Sequence, residues 1–273
     1  MNIHVMYWSA TGTTKQVVET IAQTIASAAG GVVSIHDFTL PQARQTPSGF
    51  TADDLVVFGV PTYAGRVPNV LLSYLKTIEG GGALCVPVVT FGNRNFDDSL
   101  IELCGLLTDD GFHPVAAGAF VGEHAFSRTL AAGRPDADDL CEARAFAEHI
   151  WDTVCRGNGL DTPPVIRGET PVRPYYTPRD RAGNPVNILK VKPKTDLSKC
   201  NGCGICAAAC PMGSIDPVHP ELITGICIKC CACEKKCPTG AKYFDDPGYL
   251  YHKEELELGY ARRAKNETFV SCS

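Results

Sequence analysis

The chain has 273 residues, about twice the length of a usual single domain, so two domains with separate cores are expected. Hydrophobic residues at 44% and charged residues at 20% exclude a disordered chain, and no apolar run is long enough to cross a membrane. The net charge of −5 divides into −8 over residues 1–156 and +3 over 157–273. Cysteine is the outlier, with 14 residues, nine of them between Cys200 and Cys237. The opening segment MNIHVMYWSATGTTK lacks a basic region leading into an apolar stretch, so a cytoplasmic location is expected. Reducing conditions there disfavour disulfides and turn clustered cysteines toward metal or redox chemistry.

Through residue 156 apolar strands alternate with helical patterns. Strands are predicted at 3–8, 32–36, 55–60, 83–91 and 113–121, and helices at 13–28, 70–78, 97–110 and 136–156. This rhythm predicts an α/β domain, a doubly wound five-stranded parallel sheet covered on both faces. Seven prolines between 157 and 198 argue for an extended connector over 157–194, within which Asn187–Pro193 alternates like one short strand. A small cysteine-rich domain over 195–247 follows, then a helix and tail over 248–273, with the helix predicted from Lys253 to Lys265.

Three loops should follow the carboxyl ends of strands, the edge at which open α/β sheets bind ligands. The first, Trp8 to Lys15, is dense in hydroxyls and opens a helix, so its amides and the positive helix end suit a phosphate. It lacks the Gly-Lys-Thr order of a P-loop, and hydroxyls that serve only to cap the helix are the plain alternative. The second runs from Pro61 to Pro68 and the third from Thr90 to Asp97, offering Tyr63 and Phe96 to flank a planar ring. A fourth segment, Gly122 to Arg128, lies on the same edge. Its His124 is a candidate proton donor, or an ordinary loop histidine, and Arg128 is a candidate anchor for an acceptor.

The Ser9-x-Thr11-Gly12-Thr13-Thr14 segment and the two following loops resemble those of flavodoxins. The resemblance implies FMN, with its phosphate held by Ser9, Thr11, Gly12, Thr13 and Thr14. Its ring would then be approached by Pro61, Thr62, Tyr63, Gly65, Gly92, Asn93 and Phe96. Phe96 departs from the Tyr or Trp common at the stacking positions.

Residues 200–211 and 227–238 repeat at an offset of 27, each reading Cys-x2-Cys-x2-Cys-x3-Cys-Pro. This run resembles the bacterial two-cluster ferredoxins. It differs from zinc sites, which use separated pairs of ligands. The resemblance implies an α+β two-cluster ferredoxin domain with crossed ligand sets: Cys200, Cys203, Cys206 and Cys237 for one 4Fe-4S cluster, and Cys210, Cys227, Cys230 and Cys233 for the other. Eight thiolates on two such cores would make the second half mildly negative and remove the case for nucleic acid. Cys231 is off register, either a spare buried thiol or an extra ligand. Cys85, Cys104, Cys141, Cys155 and Cys272 carry no assigned chemistry.

The combination resembles the bacterial and archaeal proteins in which a flavodoxin-like domain is fused to such a ferredoxin. It implies an electron-transfer flavoprotein serving a redox protein partner. An FMN-dependent reductase of a small acceptor, a quinone or nitro compound fed by a ferredoxin-type donor, is the alternative. No nicotinamide domain is apparent, and the connector suggests docking of the cysteine-rich head on its own flavin or on that of a second subunit in a homodimer.

Overall fold

The computed structural model describes residues 1–157, 160 and 162–271; Cys272 lies outside the described residues. Strands β1 (Asn2–Tyr7), β2 (Val33–Asp37), β3 (Asp54–Pro61), β4 (Leu84–Phe91), β5 (His113–Pro114) and β6 (Ala116–Val121) run parallel. The run expected at 113–121 is interrupted at Val115, so β5 and β6 share the fifth position beside β4. The core strands β3 and β4 read as near-continuous apolar runs because both of their faces are covered.

Helix α1 (Thr13–Ala29) buries Val17, Val18, Ile21, Ala22 and Ile25. That i, i+4 stripe packs on one sheet face together with α4 (Ala137–Arg156). Asp136 opens α4 with a reciprocal capping box through Asp139, and Gly157 closes it in the left-handed conformation. The opposite face is covered by α2 (Leu72–Leu75), a short helix where a longer one was expected, and by α3 (Ser99–Asp109). The strand order β2-β1-β3-β4-β6 places the topological switch point between β1 and β3, at the carboxyl edge.

The sequence pattern did not disclose a seventh strand. β9 (Glu267–Val270), at the end of the described chain, pairs antiparallel with β6 and closes the sheet edge. The polar segment before it is held by a buried ion pair: Arg134 joins Asp139 through its guanidinium and donates to the carbonyl of Ala264 at 2.7 Å. Asn266 donates to Asp139 and accepts from the amide of Val121.

The proline-rich stretch lies as a strap on the first sheet domain. Asp98 accepts from the amide and the Nε of Arg173, each at 2.8 Å, and the guanidinium beside it holds its carboxyl down at about 2. Tyr175 donates its hydroxyl to the carbonyl of Val67, and the amide of Tyr176 donates to Ala64. Residues 187–193 form no strand; the short antiparallel pair is instead β7 (Lys194–Thr195) with β8 (Lys242–Tyr243). Between them lie α5 (Ile205–Ala208) and α6 (Ala232–Lys235), one in each cysteine repeat. Helix α7 runs Pro247–Gly259, starting six residues before its expected position because Asp246 caps it and Pro247 occupies its first turn. No helix among the described residues is long and apolar enough to cross a membrane.

Replacing Arg134 by Met should leave the buried Asp139 with Arg263, at 3.8 Å, as its remaining cation and cost about 3 kcal/mol, read as a lower urea midpoint.

Candidate flavin and iron–sulfur centres

The three loops and the Gly122 segment converge on one cavity of about 280 Å³ at the carboxyl edge of the sheet. Its lining includes Thr11, Thr13, Thr14, Pro61, Thr62, Tyr63, Gly65, Gly92 and His124. Gly12, at φ +97°, precedes α1 and has no side chain to cap it; apart from the Lys15 amide, which Ser9 takes, the first amides are left for an anion. Ser9 is buried beneath them, and its hydroxyl accepts from the amide of Lys15 at 3.0 Å. The Thr14 hydroxyl is paired with that of Thr90 at 2.7 Å, which ties the loop to β4.

Two residues expected at the ring lie elsewhere. Phe96 is fully buried against Phe91, with the Arg167 guanidinium stacked 3.9 Å from its ring centre, so it does not line the cavity. Asn93, at φ +68°, turns its buried amide away from the cavity, donating to the carbonyls of Tyr260 and Arg262 at 2.6 Å and accepting from the amide of Ala264. Its role is to anchor the chain after α7. The aromatic wall is formed instead by Tyr63 and Trp8, whose rings meet edge to face at 5.8 Å. The Trp8 indole Nε1 is buried with no hydrogen-bond partner among the described residues, a donor left for a ligand acceptor.

Segments remote in sequence complete the cavity: Tyr176 from the strap, Ile188 and Leu189 beyond it, Ile228, Lys229 and Cys230 from the second cysteine repeat, and His252 and Leu256 from α7. Nothing local in the sequence marks these as lining; Trp8, adjoining the hydroxyl loop, was the one with a signal. Burial pushes the Tyr63 hydroxyl upward, and the sulfurs of Cys230, Cys231 and Cys227 push it further, which places this wall beside the second cysteine run.

Burial, with a lesser effect of His252, Lys235 and Arg94, pulls His124 down to about 3. Its Nδ1 accepts from the amide of Phe126 at 3.1 Å, so Nε2 carries the proton of a neutral ring. The charged imidazolium expected as an acid is therefore scarce at neutral pH, and the neutral ring offers only its Nε2–H. Arg128 lies outside the cavity and donates to the carbonyl of Glu234 at 3.1 Å.

The cysteines separate into two groups. Cys200, Cys203, Cys206 and Cys237 line one small cavity, so the last cysteine of the second repeat joins the first three of the first. Cys210 lies within electrostatic reach of Cys227, Cys230 and Cys233. As a free thiol Cys230 is pushed up to about 12 by burial. Cys231 is buried, its sulfur 3.3 Å from the carbonyl of Lys229 and 3.4 Å from the Tyr249 hydroxyl, and it packs with Phe244 and Ile188.

A family model described as a flavodoxin domain matches residues 4–80, and one described as a 4Fe-4S binding domain matches residues 193–216. The chain joins a flavodoxin domain to a 4Fe-4S domain. FMN and 4Fe-4S chemistry are the cofactors that these domains carry. Among solved structures the chain is similar to a flavodoxin from the domain Archaea, at 16% identity over 57% of this chain and 99% of that one (TM-score 0.40). It is also similar to oxidised flavodoxin 2 from Bacillus cereus, at 16% identity over 56% and 99% (TM-score 0.41). A third similarity is to the apo form of an NADH:FMN oxidoreductase, at 15% identity over 56% and 89% (TM-score 0.41). No curated protein matches the sequence.

A Cβ on Gly92 would lie 2.4 Å from Cδ2 of His124, so Gly92→Ala should displace that ring and weaken FMN binding about tenfold, measured by flavin fluorescence quenching. His124 also predicts acid sensitivity. The unfolded ring takes up its proton near 6.5 and the folded one only near 3, so its contribution is intact above about 6.5 and is lost as pH falls toward 3. His124→Gln should therefore lose less of its urea midpoint than the parent protein between about pH 7 and about pH 5.

Proposed function

We propose that the chain passes electrons between FMN held in the sheet-edge cavity and two 4Fe-4S clusters, and on to a redox protein partner. The observation that carries this reading is that Cys230, one of the expected ligands, lines the same cavity as the hydroxyl loop and Tyr63. When bound, a flavin supplies one- or two-electron chemistry and a cubane supplies one-electron chemistry, which makes the pair a converter between the two.

The chain's own residues set the arrangement. Thr11, Gly12, Thr13 and the amides at the start of α1 hold the phosphate, and Trp8, Tyr63 and Gly92 bound the ring. Cys210, Cys227, Cys230 and Cys233 hold the cluster nearer the flavin; Cys200, Cys203, Cys206 and Cys237 hold the farther one. Cys203 is exposed, which gives the partner its access. Ile188, Leu189, His252 and Leu256 bound the same cavity and keep water from the ring.

A second reading, a reductase of a small acceptor at the flavin, is favoured by Arg94 and the neutral His124 in the same lining. Turnover with a panel of quinones and nitro compounds separates the two: a reductase loses at least about tenfold in kcat/KM on His124→Ala, while an electron carrier is unaffected with its protein partner.

The main reading is tested on anaerobically prepared protein by iron, sulfide and flavin analysis, with EPR during stepwise reduction. One FMN and about eight irons per chain are expected. Cys210→Ala should then reduce the iron to about four, abolish one cluster signal and slow oxidation of reduced flavin by an outer acceptor, although Cys210 belongs to the first repeat. Full iron content with unchanged transfer in that variant would overturn both the crossed ligation and the electron path.

A further inference from the structure

The two cysteine repeats are not equivalent at their turns. At the offset of 27, Gly202 and Gly204 of the first correspond to Lys229 and Cys231 of the second. All four adopt the left-handed conformation, with φ of +71° and +70° in the first repeat and +55° and +59° in the second. Glycine takes this conformation freely, whereas a residue with a side chain is strained in it. Among the described protein atoms, a Cβ at Gly202 or Gly204 would meet nothing within 4 Å. The second repeat thus holds a lysine in a conformation that disfavours it, at the one turn that borders the flavin cavity.

The Lys229 side chain has no carboxylate partner among the described residues. Its Nζ donates to the carbonyls of Leu189 and Cys227, each at 3.2 Å, and its amide donates to the Cys227 sulfur at 3.4 Å. The residue is half-buried and lines the cavity beside Cys230. Its ammonium therefore stands between the hydroxyl loop's cavity and the second cysteine set, with carbonyl oxygens alone to satisfy it.

Resting on the reading above, we propose that Lys229 is a positioning residue whose fixed positive charge favours the electron-rich forms of both neighbouring centres, the FMN and the cluster on Cys210, Cys227, Cys230 and Cys233. Each electron added to the cluster adds one negative charge, and so does each electron added to the flavin without an accompanying proton. A cation held in a partly desolvated site beside both stabilises the added charge on each. The glycine at the corresponding turn of the first repeat supplies no such charge; the lysine beside that cysteine set is Lys242 of β8, which lies outside the repeat.

The test compares Lys229→Met, Lys229→Arg and Lys229→Gly in the cofactor-loaded chain by EPR-monitored titration. With Met or Gly, the reduction constant of one cluster should fall about tenfold, which is about 59 mV for a one-electron couple, while the other cluster stays in place. Reduced FMN should also bind more weakly relative to oxidised FMN. Arg should retain the parent values, and Gly should raise the urea midpoint by relieving the turn. Met and Gly variants that keep both clusters and FMN but show parental potentials would overturn the inference alone. Equal shifts in Met and Arg would overturn it as well. A parent protein without FMN or without the second cluster would overturn the reading on which it rests.

Discussion

A lysine ammonium taken out of water must find acceptors, and this constraint sets the geometry of the whole molecule. Lys235, at the end of α6, is largely buried and donates to the Glu123 carboxylate and to the carbonyls of His124 and Ser127 at 2.8 and 2.7 Å. All three acceptors lie in the loop after β6 that lines the flavin cavity. The contact joins the second cysteine repeat to the sheet edge, and Cys230 of the same repeat lines the cavity. Around it the Arg128 guanidinium donates to the end of α6, and the Ser127 hydroxyl donates to Glu257 of α7.

The strap makes the second contribution. Proline runs are usually read as spacers that let domains move, yet here the residues between the prolines are anchors: Arg173 on Asp98, Tyr175 on Val67, and Arg167 on Glu267. Arg167 also covers Phe96, so the same side chain closes over the core and reaches the last strand. The connector covers the loops around the flavin cavity as well as linking the two cofactor regions.

Much of this was legible in the sequence, and what was not shares one physical cause. The hydroxyl loop and the cysteine runs declare themselves because each is local: ligand spacing and helix capping are set by neighbours within a few residues. The start of α7 at Asp246-Pro247 carried a local signal too, outweighed by the Glu and Arg content farther on. Phe96 and Asn93 stand in the right loop for a flavin contact, and only their partners, Arg167 and the carbonyls of Tyr260 and Arg262, turn them aside. The alternation in Asn187–Pro193 looks like a strand but has no neighbour to pair with; Ile188 and Leu189 turn to the cavity instead. A periodic pattern specifies which face is apolar, and the partner that covers it comes from elsewhere in the chain.

The pairing of β9 with β6 means that the cysteine-rich segment is held at both of its ends by the same sheet. A head on a single tether can swing away from its docking site and explore a wide volume. One that leaves a sheet domain and returns to it is a closed loop with little reach. The pairing also imposes an order on biosynthesis. Residues 267–270 follow every cluster ligand in the chain, so the β6 edge is completed only after the whole iron-binding segment has been made. Until then Ala116–Val121 presents an open strand edge.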